Sequence, residues 1–319
     1  VTQIIGVLVL IGLVPIGMLL QRRWPKLRGL GGGLMVSYVT LVLILTGTEL
    51  YFRYIHAASD GLRARENWMN RYWHLNSLGF RDREWQPEDY AGKQRLIAIG
   101  DSFTAGWGVE DPLDRFPDVL QAQLGADYAV FNLGMPGSST RDQLVTLADY
   151  PVQEPDVVLW QYFLNDIEGA ALSIGQFQEP PQMPDWMRES YFANYVFALS
   201  NSGFGPAYWD WEYTAYDNYG IWQIHQQELE QAVRDVQAQG ARLIVVIFPN
   251  MQDPFRSIPY VDRVAQVFEA AGVTEVVKLF DAVERWPAAE RIVSPRDAHP
   301  SAAFHRYVGE ELYRLYFAD

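Results

Sequence analysis

From residue 95 onward, short apolar runs alternate with amphipathic stretches, and this limits the chain to few architectures. Runs at 95–100, 128–132, 156–163, 242–248 and 275–280 read as strands. Helical patterns near 113–124, 140–149, 216–239 and 258–271 separate them, and a closing helix spans 300–317. Apolar runs this short, bounded by turn residues, suit strands buried on both faces. Their regular exchange with helices predicts a parallel sheet covered on each side, a three-layer α/β/α domain. The chain has no internal repeats.

Polar residues gather where these runs end. Leu96-Ile97-Ala98-Ile99 stops at Gly100-Asp101-Ser102, and Gly100 permits the sharp turn that follows. Tyr128 to Phe131 leads into Asn132-Leu133-Gly134, and Val157 to Leu164 ends in Asn165-Asp166. Asp297-Ala298-His299-Pro300 opens the last helix. Each block lies at or beyond the carboxyl end of a strand, or in a loop before a helix, where open α/β sheets hold their ligands. Each also has a purely structural reading. Asp101-Ser102 can cap a helix, Asn165 and Asp166 can form a turn, and Asp297 can cap the final helix with Pro300 in its first turn.

The four blocks together, in this order, resemble the SGNH/GDSL family of esterases, lipases and acyltransferases over about residues 95–319. The resemblance implies that Ser102 is the nucleophile, His299 its general base and Asp297 the acid that orients the base. It further implies an oxyanion hole made by the Ser102 amide, the Gly134 amide and the Asn165 side chain. Elementary chemistry asks for the same parts. A serine hydroxyl needs a base within hydrogen-bond reach, and the base needs a carboxylate to fix its tautomer. Two positions depart from the family pattern. Phe163 stands where a glycine is usual, and only Ala298 separates Asp297 from His299. His305 reads as a helix-surface or packing residue, while His56, His74 and His225 have no evident partner. No cluster has metal-ligand spacing, so neither a metal nor another cofactor is expected.

The first fifty residues obey a different rule. Residues 4–20 and 34–48 are apolar, and Gln21-Arg22-Arg23-Trp24-Pro25-Lys26-Leu27-Arg28 lies between them, basic and without an acid. Such a loop stays on the cytoplasmic side of a membrane. The first run has no basic residue before it and two after it, the reverse of a cleaved leader. The expectation is therefore a transmembrane helical hairpin over residues 1–55, a connector over 56–94 and an outward-facing hydrolase domain over 95–319. Within the connector, Asn76 to Arg81 reads as an ordered turn packed on the domain. That topology corresponds to a multi-pass protein of a bacterial-type inner (plasma) membrane, with its C-terminal domain on the periplasmic or extracellular side.

An insertion at about 168–215 carries Trp186, Tyr191, Phe192, Tyr195, Phe197, Tyr208, Trp209, Trp211 and Tyr213. So dense an aromatic content argues against disorder. It suits a lid or platform for a sugar chain, a surface dipping into the membrane interface, a docking face for another protein, or a satellite core. The formal net charge is −14, and every acidic residue except Glu49 lies beyond residue 50, which makes nucleic acid an unlikely partner. The chain has no cysteine, hence no disulfide and no lipidated N-terminal thiol.

These observations point to a membrane-anchored serine esterase or O-acyltransferase acting on acyl esters of envelope glycans or lipids. Its partners would be the lipid bilayer, through the hairpin, and the acyl-ester substrate. The alternative is a catalytically silent accessory subunit docked on a membrane-protein partner through the hairpin or the aromatic insertion.

Overall fold

The computed structural model describes residues 2–21, 23–201 and 204–318; Arg22 of the basic loop and Ser202 and Gly203 of the insertion lie outside the described residues. The chain divides into two compact units. One runs up to Arg71 and takes in the segment beginning at Pro180; the other runs Tyr72–Glu179 and resumes at Phe204. The aromatic insertion is thus shared between them.

The second unit is built on a parallel sheet. Strands β1 (Gln94–Ile99), β2 (Tyr128–Asn132), β3 (Val157–Tyr162), β4 (Arg242–Ile247) and β5 (Glu275–Lys278) lie in the order β2-β1-β3-β4-β5. Every neighbouring pair is parallel. Successive side chains leave a strand on opposite faces, so the apolar runs feed two cores. Ile97, Ile99, Val158 and Trp160 pack with Leu147, Leu229, Val233 and Phe268 from helices on one side. Leu96, Ala98, Val157 and Leu159 pack with Phe116, Leu120, Phe304 and Val308 from helices on the other. This is the expected three-layer arrangement.

The order reverses beside β1, the chain proceeding first to β2 and then crossing to β3. A crevice at the carboxyl ends of β1 and β3 is the usual ligand position in such a sheet.

The C-terminal block differs from expectation. Asp297–Pro300 forms a short strand, β7, antiparallel to β6 (Ile292–Ser294), and the last helix runs Ala302–Tyr316. Its cap is Ser301, whose Oγ accepts the Phe304 amide at 3.1 Å. A serine with extended backbone directly before the first turn satisfies an amide left without an intrahelical partner. Asp297 is thereby released from the capping role the sequence allowed.

The first unit is helical. Thr2–Leu20 contacts Pro25–Tyr54, with Tyr38 Oη donating to the Leu8 carbonyl at 2.9 Å. Pro25–Tyr54 is long and apolar enough to cross a membrane, with a mean hydropathy of 1.8 over its best window; Ile5–Leu20 is a shorter apolar stretch. At the end of the longer helix, Glu49 accepts from Ser190 Oγ at 2.7 Å, Tyr191 N at 3.1 Å and Phe192 N at 3.0 Å. One carboxylate thus fastens the helix Tyr191–Ser200 by its first turn, and Phe52 stacks beside Tyr195 with ring centroids 4.5 Å apart.

His305 is a packing residue, buried on the sheet-facing side of the last helix. Its ring lies over Phe116 at 5.8 Å and 7°, and Nδ1 accepts the Phe116 amide at 3.3 Å. Burial, with lesser contributions from Arg115, His299 and Arg81, lowers its pKa from 6.5 to about 3. The unfolded chain therefore binds a proton below pH 6.5 that the folded chain refuses until about pH 3. Stability from this group is complete above the unfolded value and is lost as pH falls through that window. The slope is at most about 1.4 kcal/mol per pH unit for one proton. Urea unfolding at several pH values between 7 and 4 should show a shallower acid loss for His305→Asn than for the parent protein.

Candidate active site

Ser102 begins a single helical turn, Ser102–Ala105, directly beyond β1. A first-turn amide has no intrahelical acceptor, so the chain reverses here with an N–H available. Asp101 caps the turn, its Oδ1 accepting the Phe103 amide at 2.8 Å. Gly100 has φ +154°, and a Cβ there would overlap Gln161 Oε1 and Thr104 Oγ1. Only glycine fits that position.

Three elements brace the turn. Gln161, buried in β3, accepts the Asp101 amide at 3.1 Å and the Thr104 hydroxyl at 2.9 Å through Oε1. Asn132, closing β2, donates from Nδ2 to the Thr104 carbonyl at 2.9 Å. Arg81, from the connector, donates to the carbonyls of Gly106 at 2.6 Å and Val109 at 2.7 Å. The Asn76–Arg81 stretch is accordingly an ordered part of the sheet unit.

His299 Nε2 lies 2.8 Å from Ser102 Oγ, across 197 positions of sequence. Its Nδ1 lies 2.5 Å from Asp297 Oδ1. The tight Asp-Ala-His spacing works because the block is a strand. Residues two apart in a strand point to one face, whereas on a helix they diverge. Asp297 has 3% of its side chain exposed against 27% for His299, so the acid is the inner member of the pair. Ser294 on the facing strand accepts the Asp297 amide at 3.1 Å and holds the hairpin in register.

The other sequence-selected residues divide. Asn165 sits in the 3-10 turn Leu164–Ile167 just beyond β3, partly exposed, facing the Asp101 carboxyl. The Gly134 amide donates to Asn132 Oδ1 at 3.0 Å. A Cβ there would overlap the Ala105 backbone nitrogen, so glycine lets the β2 loop lie against the Ser102–Ala105 turn. Phe163 replaces the usual glycine without strain, its backbone being extended, and stacks on Phe103 at 4.2 Å.

Beneath the site two carboxyls are buried. Burial and the neighbouring Asp101 push Asp166 well above the usual carboxylate range, and burial raises Asp101 as well. Gln143 Nε2 donates to Asp166 Oδ1 at 2.7 Å, and Trp160 Nε1 donates to Gln143 Oε1 at 2.7 Å. His225 pairs instead with Tyr162 Oη at 2.7 Å. Among the described residues no group of acids and histidines is arranged to hold a metal.

Sequence reasoning missed Gln161, Arg81, Ser294 and Trp107. Gln161 had a signal, a lone amide inside an otherwise apolar strand. Trp107 stands beside His299 with ring centroids 6.3 Å apart, and Trp73 lies 5.0 Å from Trp107.

The layered parallel sheet thus brings a serine, an imidazole and a carboxylate into one hydrogen-bonded series. A profile of the GDSL-like lipase/acylhydrolase family matches residues 98–307, and the chain belongs to that family as an ester hydrolase. No curated protein matches the chain. Among solved structures, TesA has 20% identity and a TM-score of 0.43, covering 69% of this chain and 97% of its own. A lipolytic protein of the G-D-S-L family from Veillonella parvula DSM 2008 has 14% identity and a TM-score of 0.43, covering 70% and 98% respectively. The acetyl xylan esterase AlAXEase has 13% identity and a TM-score of 0.44, covering 70% and 100%.

Gln161→Leu would leave the Thr104 hydroxyl and the Asp101 amide without their buried acceptor. Unfolding free energy should fall by about 1–3 kcal/mol, and turnover of a small ester should fall with it, read by denaturant melts and initial rates on one preparation.

Proposed function

We propose that the protein is a membrane-anchored, outward-facing serine esterase or O-acyltransferase working through an acyl-enzyme. The observation that carries this reading is the continuous relay from Ser102 Oγ to His299 at 2.8 Å and on to Asp297 at 2.5 Å. Ser102 Oγ attacks the ester carbonyl while His299 Nε2 takes its proton. Asp297 keeps the imidazole in the tautomer whose Nε2 can accept, and stabilises the imidazolium that forms. The Ser102 amide, the Gly134 amide and the Asn165 side chain receive the developing oxyanion, the class of interaction that usually contributes most to acyl transfer. As the carbonyl re-forms, His299 returns its proton to the departing alcohol and leaves Ser102 acylated. Water or a carbohydrate hydroxyl then attacks by the same steps in reverse. Water gives hydrolysis, and a hydroxyl gives transfer.

The substrates proposed are acyl esters of envelope glycans or lipids. Support for the membrane side comes from the bilayer-length helix Pro25–Tyr54 and from the basic residues Arg23, Lys26 and Arg28 ahead of its apolar stretch. Basic loops stay cytoplasmic, which orients a multi-pass anchor with the hydrolase unit on the periplasmic or extracellular side. Trp107, beside His299, offers an aromatic face on which the C–H face of a sugar ring can pack next to the reacting ester, which favours a glycan acceptor or donor. A silent scaffold has no need of so aligned a relay.

Ser102→Ala should lower kcat on a small acyl ester by about 10³-fold or more and abolish fluorophosphonate labelling; equal turnover by the variant would remove the mechanism. Asp297→Asn should cost about 10²–10⁴ in kcat with little change in KM. Trp107→Ala should raise KM for acylated oligosaccharides while leaving KM for a small aryl ester nearly unchanged, and equal effects on both would remove the glycan preference.

A further inference from the structure

The helical unit carries a half-open apolar cavity of about 470 Å³. That volume lies within the range of small-ligand sites, roughly 300–1,000 Å³. Its wall is formed by Ile5, Leu8, Leu45, Leu50, Phe192 and Val196, with Thr46, Glu49, Arg53 and Ser190 as its polar members. The charged members are already matched. Arg53 Nη2 donates to Glu49 Oε1 at 2.9 Å and to the Glu189 carbonyl at 3.1 Å. Glu49 Oε2 accepts from Ser190 Oγ at 2.7 Å and Phe192 N at 3.0 Å. An ionic ligand would meet an ion pair that is satisfied within the protein. An alkyl chain would meet apolar surface that it can remove from water.

Two further observations name the source of such a chain. The helix that supplies Leu45 and Leu50 is long and apolar enough to cross a bilayer. At the rim, Ile5 is 54% exposed, Trp186 49% and Val196 40%, so the cavity opens outward between apolar side chains. Tryptophan is a residue that favours the bilayer interface.

We infer that this cavity binds one acyl chain of a bilayer phospholipid, with the headgroup left outside. The assignment rests on the membrane-anchor part of the proposed function and not on its ester chemistry, because no wall residue belongs to the unit that holds Ser102.

The full chain would be reconstituted into phosphatidylcholine vesicles containing phosphatidylcholine spin-labelled on one acyl chain. Electron paramagnetic resonance then reads the motionally restricted fraction. The expected result is one restricted chain per protein in excess of that seen with Ala193→Phe, which fills the cavity, and with Leu50→Trp. Circular dichroism melts identify a variant that has failed to fold. Absence of a restricted component in the parent protein overturns the proposal whatever the variants do. Equal restriction in parent and folded variants also overturns it. So does a restricted signal from spin-labelled stearic acid but not from the phospholipid, which would mean a free fatty acid site. A cross-linkable dimer lost in Ala193→Phe, with no change in the lipid signal, would assign the cavity to a second copy and overturn the proposal as well.

Discussion

The amide of Gln161 is the interaction on which the reactive end of the sheet depends. It is a polar side chain fully buried in a central strand, and both groups it receives belong to the turn bearing Ser102. β1 and β3 are neighbours in register, so the bond is short and leaves the turn little freedom. Asn132 performs the same service from β2 on the opposite side. A nucleophile at the edge of a sheet is useful only when its backbone cannot drift. Here two amides from flanking strands, with the Arg81 guanidinium, supply that rigidity.

Much of this was legible in the sequence because the signals were local. Apolar runs broken by turn residues located all five strands of the parallel sheet to within a few residues. Gly100-Asp101-Ser102 announced itself by its position at the end of such a run. The β6–β7 hairpin was not legible. Strands of three and four residues leave no periodicity to read, and Asp297 ahead of Pro300 imitates a helix start. At Gly134 the sequence shows a glycine but not the close approach that its missing Cβ permits, because the Ala105 backbone lying against it is a tertiary fact.

The helical unit taught a different lesson. Its aromatic residues looked like one insertion beside the active site, yet the segment from Pro180 groups with the N-terminal helices. The cause is electrostatic. Glu49, near the end of an apolar helix, would be costly to leave unpaired, and a helix N-terminus with free amides is a good partner for a carboxylate. The single acid of the first fifty residues thus recruits a segment that begins 141 residues downstream.

The Asp297–His299 strand has a corollary in its parity. Ala298 projects to the opposite side from its neighbours, so its side chain takes no part in the contact between Asp297 and His299. Adding or deleting a single residue there would turn those two side chains to contrary faces in one step, so the spacing can change only if the hairpin is remodelled with it.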